Sequence, residues 1–598
     1  MPPNEVNTAD ARKLLLRAGA PERRHVLHGI GWLVVAAALE ALGPLAGKFL
    51  IDTYLLPRNA DLPAIAGLLV GALVAGVAAS WIRYLQLARL AGVAMRSVQR
   101  IRERVYAHVL RLPMSFFDHA ITGQLVSRVT NDTEAVKTLY VQVLFVILDS
   151  LIVLTGAMLA MLWLDWRLML IVAALVPAVI IIVRLYQRLS APAVTRTRAL
   201  RSDLNAHVAE SISGMPVLQA ANAASRFRAR FDKLNEEHFH SRTRELRANA
   251  WLLRPVLDFL HVGLLAVVLW VFGTRAGSGA MGALELGILY AFISYITRVV
   301  EPLVQITMQF SQLQQAMVGA ARVHALLEEA EAPLAQEHGR VTRGAISISD
   351  LDFGYQEGQR VLHGLNLEIA PGSFLGIVGP TGSGKSTLLS LLLRFYVAPP
   401  GSIRIDNAPL EAIGEDHLRA SVGLVPQEPF LLAGTARDNI AMGRNLTQAQ
   451  IETAAKAAHA HDLILRLEQG YDTPLGEGGA RLSVGQKQLL AIARALAGQP
   501  RILFLDEATS HIDSETEQRV QQALDALHGK VTVVAIAHRL STVRDADNIL
   551  VLHHGRAAEM GRHEELMGIE DGLYQRLYLL QQLEAEDEED APPAVIPA

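Results

Sequence analysis

Six long apolar runs dominate the first half of the chain. Each is close to, or above, the roughly 20 residues that an α-helix needs to cross a bilayer. Polar and basic stretches separate the runs, so their boundaries are clear. We therefore predict an all-α membrane domain with six transmembrane helices. The runs cover residues 30–56, 65–85, 140–164, 168–189, 252–272 and 284–303.

The connections between these runs are either short and nearly neutral or long and basic. The short ones, at 57–64, 165–167 and 273–283, carry one arginine each. The two long ones hold many arginines and lysines. Positive charge is retained on the cytoplasmic side, so we expect the long connections, both termini and the second half of the chain to be cytoplasmic.

The long connections have helical spacing of apolar residues, as between Leu90 and Val109. We expect the membrane helices to continue into the cytoplasm, with breaks near Gly123 and Gly214. Short helices at those breaks are candidates to dock on another domain.

Ionisable residues inside the apolar runs are costly and often functional. We expect the carboxylates at 40, 149 and 258 to face a central cavity, to pair with each other or to sit near an interface. The arginine at 298 and the glutamate at 301 are three residues apart on one helix face and are expected to pair. The full set comprises Glu40, Asp149, Asp258, His261, Arg298 and Glu301.

Strands and helices alternate in the second half, which predicts an α/β domain. A polar stretch separates it from the membrane domain. We divide the chain into a cytoplasmic N-terminal segment at 1–24, the membrane domain at 25–322, a linker at 323–344, the α/β domain at 345–582 and an acidic disordered tail at 583–598. The N-terminal segment shows no cleavable signal.

A glycine-rich segment between a predicted strand at 374–378 and a predicted helix at 388–393 fits the pattern G-x-x-x-x-G-K-[ST]. In that context backbone N–H groups surround a phosphate, the lysine reaches the β- and γ-phosphates and the serine hydroxyl binds Mg²⁺. We predict that this loop binds ATP and Mg²⁺. Its residues are Gly379, Pro380, Thr381, Gly382, Ser383, Gly384, Lys385, Ser386 and Thr387.

Three further residues follow apolar runs of the α/β domain. Asp506 ends the run 501–506 and is placed to hold Mg²⁺. Glu507 follows it and is a candidate general base for the attacking water. His538 ends the strand predicted at 531–537 and is placed to reach the γ-phosphate.

The amino-acid composition further limits what kind of protein this is. Hydrophobic residues make up 51% of the chain and mean hydropathy is +0.26, which is typical of a partly membrane-embedded protein. The net charge of -4 gives no indication of nucleic-acid binding. The chain has no cysteine, so disulfides, iron–sulfur clusters and a cysteine nucleophile are excluded.

The segment 482–486, Leu-Ser-Val-Gly-Gln, resembles the LSGGQ signature of ATP-binding cassette (ABC) proteins, with valine in place of one glycine. The resemblance implies that the signature contacts the γ-phosphate held by a partner subunit. It also implies an adenine-stacking tyrosine, a Mg²⁺-sensing glutamine of the Q-loop, a D-loop at 510–513 and an X-loop at 476–479. The residues implied are Ser483, Val484, Gly485, Gln486, Tyr355, Gln427 and Asp513.

The membrane half resembles the exporter class of the same family, in the type IV exporter fold. The segments 112–118, 122–128 and 291–295 carry that likeness. One chain has six spans and one ATPase domain, whereas the family uses twelve and two. The resemblance therefore implies a half-transporter that dimerises, with ATP between Lys385 of one subunit and Ser483 of the other. A homodimer and a heterodimer with a related half-transporter fit equally well.

The resemblance implies ATP-driven export of hydrophobic or amphipathic compounds, multidrug-like, by alternating access across a bacterial inner membrane. Membrane lipids and a hydrophobic small-molecule substrate are the expected partners. Three alternatives stay open: a lipid or lipopeptide flippase, a metal-chelate importer on an exporter scaffold, and an ATP-gated channel. The six spans exclude a soluble ABC ATPase.

Overall fold

The structure is a computed structural model that describes residues 8–58, 61–252, 254–277, 285–332, 339–356, 358–506, 514–537 and 539–589. It divides into two compact units. The first holds the described residues up to Arg111 together with Ala120–Glu329, and the second holds Leu112–His119 with those from Ala330 onward.

Six helical stretches in the described part of the chain are long and apolar enough to cross a membrane, which agrees with the six predicted spans. They are Lys13–Leu55, Leu62–Val109, Thr122–Leu164, Trp166–Tyr186, Pro255–Arg275 and Glu285–Gln309.

The α-helices of the first half are numbered in chain order, with α4 alone belonging to the second unit. Their bounds are α1 Thr8–Gly19, α2 Arg23–Leu50, α3 Leu62–Val109, α4 Met114–His119, α5 Thr122–Ser127, α6 Thr133–Thr138, α7 Phe145–Leu164, α8 Trp166–Ala173, α9 Leu175–Ser213, α10 Met215–Ala220, α11 Ala224–Leu252, α12 Arg254–Gly277 and α13 Glu285–Leu327. Among the described residues of this half, three π-helical stretches interrupt the series, at Ile51–Leu55, Arg128–Asp132 and Leu139–Leu144.

The core of the membrane unit is built around α13. Phe292, Tyr295, Ile296 and Val299 are fully buried at the spacing of one helix face, and they pack in a cluster with side chains of α7, α8, α9 and α12. The Tyr295 hydroxyl donates a hydrogen bond to the Ala41 carbonyl of α2, which satisfies the polar end of a buried ring.

Helix α3 runs for 48 residues without a break, as its apolar spacing predicts. Short helices lie at both predicted breaks, α4 and α5 at the first and α10 after Gly214 at the second. One boundary differs from the prediction: α13 continues to Leu327, so the first residues of the predicted linker are helical. Val323 and Leu326 are fully buried, and this packing extends the helix past the point where the sequence turns polar.

The second unit also contains the α/β domain. Its elements, again in chain order, are β1 Ile346–Phe353, β2 Leu362–Ile369, β3 Phe374–Val378, α14 Lys385–Leu392, β4 Ile403–Ile405, β5 Ala408–Pro409, α15 Glu415–Ser421, β6 Val422–Val425, α16 Ala436–Ala441, α17 Gln448–Ala457, α18 His461–Leu465, α19 Val484–Ala497, β7 Ile502–Asp506, α20 Ser514–Asp525, β8 Thr532–Ile536, β9 Asn548–His553, β10 Arg556–Gly561, α21 His563–Met567 and α22 Leu573–Glu589.

The described residues of this domain form two sheets. One has six strands in the order β10-β9-β3-β8-β7-β6, parallel except for β10, and the other has four antiparallel strands in the order β2-β1-β4-β5. Strands β3 and β8 are buried along their whole length, which explains their uninterrupted apolar sequences. Since β3, β8, β7 and β6 are parallel, their carboxyl ends meet at one edge.

The acidic tail differs from its prediction over its first residues. Helix α22 continues to Glu589, whereas the sequence predicted disorder from residue 583. Glutamate, glutamine, alanine and leucine are good helix formers, so the helix that begins at Leu573 propagates into the acidic stretch. Residues 590–598 lie outside the described part of the chain.

Candidate functional site

The loop at 379–384 joins β3 to α14, and its backbone needs glycine at two places. Gly379 has φ 149° and Gly384, the N-cap of α14, has φ 104°. A Cβ at Gly379 would lie 2.2 Å from the Leu552 carbonyl oxygen, and one at Gly384 would lie 2.8 Å from Leu362. The loop therefore passes close to the Leu552 backbone and to the Leu362 side chain, and its positive φ values at these two positions favour glycine.

The loop presents a buried cation and a buried hydroxyl. Lys385 is 8% exposed, and its ammonium donates to the carbonyl oxygens of Gly379 at 2.7 Å and Pro380 at 3.1 Å. The Ser383 hydroxyl is buried without a hydrogen-bond partner among the described residues. A buried polar group without a partner is costly, so the loop fits an added phosphate group that would satisfy it.

The outer part of the loop is open to solvent. Pro380, Thr381, Gly382 and Ser386 are exposed, whereas Thr387 is buried. The exposed Ser386 hydroxyl can reach a cation beside the loop, and oxygen ligands of this kind suit Mg²⁺.

Tyr355 lies over the start of α14. Its hydroxyl donates to the Thr387 hydroxyl at 3.0 Å, and its half-exposed ring makes edge contacts with Phe353 and Tyr396 at centroid distances of 5.3 Å and 4.8 Å. Tyr396 in turn donates to the Asp118 carboxylate of α4. The exposed face of Tyr355 is therefore held beside the loop, where a flat base can stack.

Strand register brings Asp506 and Gln427 to the same sheet edge as the loop. Ile536 of β8 pairs with Ile377 of β3 on one side and with Asp506 of β7 on the other. Adjacent strands are about 4.8 Å apart, so Asp506 lies about 10 Å from the strand that leads into the loop. Gln427 follows the end of the next strand, β6, and is exposed.

Three predicted site residues lie outside the described part of the chain. They are Glu507, Asp513 and His538. Their roles as general base, D-loop contact and γ-phosphate contact stay predictions.

The segment that resembles the ABC signature forms the N-terminus of α19. Ser483 and Gln486 make a capping box, in which the Gln486 N–H donates to the Ser483 hydroxyl at 3.3 Å and the Ser483 N–H donates to the Gln486 side chain at 3.1 Å. Gly485 is buried, and a Cβ there would lie 2.7 Å from Thr516 Cγ2. Val484 is 49% exposed, which explains why a side chain is tolerated where the motif has glycine.

Arg494 of α19 connects this helix to the segment after Gln427 by hydrogen bonds. The sequence analysis did not identify it. The Arg494 guanidinium donates to the carbonyl oxygens of Phe430 at 2.8 Å and Asn439 at 2.9 Å, and to the Asn439 side-chain oxygen at 3.0 Å. Burial and the nearby charge of Arg444 lower the pKa of Arg494. Its signal in the sequence is a single arginine inside the apolar run 489–497.

The intramembrane ionisable residues pair differently from the prediction. Arg83, which was overlooked although it lies in the run 65–85, lies 2.7 Å from Glu40 and 3.3 Å from Asp149. Arg298 approaches Glu40 at 3.7 Å, and Glu301 accepts instead from Gln305.

The two remaining members of that set are placed on α12. Asp258 is exposed and makes no ion pair with the described residues, and His261 has a buried ring nitrogen without a described partner.

Comparisons with known proteins agree with this architecture. Residues 26–303 match the ABC transporter transmembrane region and residues 362–510 match the ABC transporter family. The chain is 38% identical over 556 residues to the putative ABC transporter ATP-binding protein exp8 of Streptococcus pneumoniae, covering 92% of this chain and 94% of exp8.

It is also 35% identical over 570 residues to the multidrug resistance-like ATP-binding protein MdlB of Buchnera aphidicola subsp. Schizaphis graminum, covering 95% and 97% of the two chains. A solved structure of a bacterial Atm1-family ABC exporter with ATP bound is similar at a TM-score of 0.76 and 30% identity, over 96% of this chain and 99% of the other. The chain therefore belongs to the ATP-hydrolysing ABC transporters of the exporter type and is an integral membrane protein.

Proposed function

We propose that this chain is a half-transporter that uses ATP to export hydrophobic or amphipathic compounds across the bacterial inner membrane. The observation that carries the proposal is the presence of six membrane-crossing helices and an ATPase cassette on one polypeptide. The likeness to a relative named as multidrug resistance-like supports the substrate class.

Within the proposed ATPase site, Lys385 and the loop N–H groups hold the phosphates, and Tyr355 stacks on the adenine. Ser386, Asp506 and Gln427 would hold Mg²⁺, which neutralises charge on the phosphates when bound. Glu507 accepts a proton from the attacking water, and His538 contacts the γ-phosphate. The sheet edge shared by β3, β7 and β6 supports this assignment.

The proposed site is completed by a second subunit. Ser483, Val484, Gly485, Gln486 and Asp513 of one chain would face the phosphate loop of the other. Closure of the two ATPase domains would turn the membrane domains outward, and hydrolysis would return them. The capping box and Gly485–Thr516 packing give the signature a rigid surface for that contact.

In the proposed orientation, the ATPase domain, both termini and the two long connections are cytoplasmic. The arginine-rich long connections and nearly neutral short connections support it. The short connections at the helix ends therefore face outward.

Reconstitution of the purified chain alone tests the proposal. We expect ATPase activity that amphipathic compounds stimulate and ATP-dependent accumulation of those compounds in inside-out vesicles. Accumulation only in right-side-out vesicles would indicate import, and ion current without accumulation would indicate a channel. Activity that appears only when a related half-transporter is added would indicate a heterodimer.

A lipid flippase is the second candidate function. The ion pairs among Glu40, Arg83, Asp149 and Arg298 favour it, because a polar group at membrane depth suits a substrate with a charged head and an apolar tail. Transfer of a fluorescent lipid between leaflets, dependent on ATP, distinguishes it from export of soluble drugs.

A further inference from the structure

The segment that joins α1 to the first membrane-crossing helix, α2, carries positive charge that its neighbours do not neutralise. Between Lys13 and His28 the sequence holds four lysine and arginine residues and a single carboxylate. Arg17, Arg23 and Arg24 are exposed and make no ion pair with the described residues. We call these three residues the arginine patch.

The one carboxylate of this segment, Glu22, is buried and pairs with arginines of another helix. It accepts hydrogen bonds from the guanidinium of Arg96 at 3.1 Å and 3.2 Å and from that of Arg100 at 3.0 Å. Both arginines belong to α3. Two positive charges therefore surround the single negative one, and the net charge of the arginine patch stays uncompensated.

The backbone that carries the arginine patch is fixed on both sides. Ala11 and Leu14 of α1 are buried, and the Leu15 carbonyl accepts a hydrogen bond from the Tyr140 hydroxyl at 2.6 Å. The ion pairs of Glu22 hold the start of α2 against α3. The three arginines are therefore presented by packed helices, and their charges keep a fixed position relative to the membrane domain.

The length of α2 places the arginine patch at the level of the lipid head groups. Counted from the short-connection end of α2 at Leu50, Trp32 is about 18 residues away and Arg24 about 26 residues away. At 1.5 Å per residue these separations are about 27 Å and 39 Å. The hydrocarbon core is about 30 Å thick, and tryptophan is enriched at its boundary. The arginines thus lie just beyond that boundary, on the side of the long connections.

Exposed apolar side chains continue from these arginines along the same faces of α2. Arg23, Leu27 and Val34 are spaced by four and seven residues, which places them on one helix face, and Leu27 and Val34 are 57% and 49% exposed. Arg24 shares a second face with Val35, eleven residues further on, which is 42% exposed. Each face therefore combines a cation at head-group depth with apolar side chains at hydrocarbon depth, as a phospholipid does with its head and tails.

We propose that the arginine patch binds the phosphate groups of anionic phospholipids in the leaflet on the side of the long connections. The acyl chains of these lipids lie along Leu27, Val34 and Val35. Anionic lipids attract arginines next to a membrane helix, and a guanidinium takes a phosphate in two parallel hydrogen bonds. This inference concerns a lipid partner of the membrane domain and depends on neither the transported compound nor the direction of transport.

Quenching of Trp32 fluorescence by brominated lipids tests the proposal. The full-length reporter chain keeps Trp32, and its five other tryptophans, all at least 56% exposed, are changed to phenylalanine. These five are Trp81, Trp163, Trp166, Trp251 and Trp270.

The reporter chain is reconstituted in nanodiscs of phosphatidylcholine that contain either brominated phosphatidylglycerol or brominated phosphatidylcholine. We expect the anionic lipid to bind about fivefold more strongly, which is the effect of one arginine near an anionic surface. Raising the salt concentration should reduce this preference, because salt screens exposed charges.

Variants connect the lipid preference to the arginine patch. Changing all three arginines to glutamine should lower the preference to near unity, whereas changing them to lysine should keep most of it because the charge is retained. Arg58→Gln is the matched control, since it removes an exposed arginine on the short-connection side of α2 and should keep the wild-type preference. ATPase activity in phosphatidylcholine nanodiscs verifies that each variant is folded.

Three results overturn the inference. The first is equal quenching by the two brominated lipids with all three arginines present, and the second is a preference that persists in the glutamine variant. The third is a preference that appears only after the acidic residues at 584–590 are changed to amides, which would assign the arginine patch to that acidic stretch. Both leaflets of the nanodisc have the same lipids and no transport is measured, so failure of the proposed export function would leave these outcomes unchanged.

Discussion

The buried ammonium of Lys385 is held by two carbonyl oxygens of its own loop, so a cation is in place where the phosphates of ATP are proposed to lie. Lys385→Ala removes this charge. We expect ATP affinity to fall by about 10- to 100-fold, the effect of losing a charge-assisted hydrogen bond, and ATPase activity to be nearly abolished. Fluorescent-nucleotide titration and phosphate release measure the two effects.

The control is Lys456→Ala, a change on the distant helix α17, which should leave both quantities unaltered. Wild-type nucleotide affinity in Lys385→Ala would contradict the assignment of the loop.

A second prediction concerns Asp406 and the stability of the ATPase domain. Its carboxylate accepts from the backbone N–H groups of residues 342 to 345. Burial raises its pKa, but these hydrogen bonds prevail and lower the pKa from 3.8 to about 2. A group with a depressed folded-state pKa stabilises the fold above its unfolded-state pKa, and this contribution is lost as pH falls from about 4 toward 2.

Asp406→Asn should therefore lower the stability of the ATPase domain by about 2 kcal/mol at neutral pH, from about 1.4 kcal/mol per pKa unit. The difference from the wild type should stay constant from pH 8 to pH 5 and shrink below pH 4. Thermal unfolding followed by fluorescence measures it. A difference that grows on acidification would be inconsistent with the depressed pKa.

Single residues also show where sequence reasoning is strong and where it is weak. The phosphate loop and Asp506 lie at the ends of β3 and β7 as predicted, because local spacing and the preceding strand determine these positions. Arg83 and Arg494 were missed, because their partners are far away in sequence, on α2, α7 and the segment after β6. Only packing brings such partners together.

At the scale of elements, the N-terminus of α19 depends on its contact with α20. Gly485→Ala would place a methyl group 2.7 Å from Thr516, so one of the two helices must shift. We expect ATPase activity to fall by at least about tenfold while ATP still binds to the phosphate loop, since a misplaced catalytic surface loses rate steeply.

Val484→Ala is the matched control in the same turn, because Val484 is exposed and its truncation creates no clash. Adding Thr516→Ala to Gly485→Ala relieves part of the crowding and should restore part of the activity. Full ATPase activity in Gly485→Ala alone would show that the contact between Gly485 and Thr516 does not limit the ATPase rate.

Arg494 fixes the position of α19 relative to the segment that follows Gln427. Arg494→Gln removes the donors to the carbonyl oxygens of Phe430 and Asn439. Asn439 is buried, and a buried acceptor that loses its donor costs about 1–3 kcal/mol. We expect a clear decrease in the melting temperature of the ATPase domain and weaker stimulation of ATPase activity by transported compounds. Arg481→Gln, an exposed change just before the signature, serves as the control and should alter neither quantity.

Most elements follow from the sequence, but several of their ends do not. Strand β3 begins and ends at the predicted residues because its apolar run is bounded by Ser373 and by the glycine of the loop, Gly379. Helices α13 and α22 extend beyond their predicted ends, since tertiary packing continues in the first and helix-forming residues continue in the second. Local composition does not reveal either effect.

At the scale of the whole molecule, the proposed composite site predicts complementation between subunits. Lys385→Ala chains and Ser483→Ala chains should each be inactive alone. When the two are co-expressed and mixed dimers are purified through different tags, one site combines an intact Lys385 with an intact Ser483. We expect those dimers to recover roughly a quarter to a half of the wild-type ATPase rate, because one of two sites is complete.

Mixed dimers as inactive as their parents would mean that each chain completes its own site or that both sites must work together. A Lys385→Ala, Ser483→Ala double-mutant chain paired with a wild-type chain distinguishes these two explanations. It leaves no complete composite site, but it leaves one chain that is intact by itself.

The unbroken length of α3 has a mechanical consequence. Its 48 residues span about 72 Å, more than twice the thickness of the hydrocarbon core, so the helix acts as a lever with a long arm outside the bilayer. A tilt of about 5° about its short-connection end displaces the far end by about 6 Å at this length. Small rotations among the membrane helices therefore become movements as large as a helix turn at the far end of α3. A glycine or proline placed midway in α3 should bend the helix and uncouple ATP hydrolysis from transport.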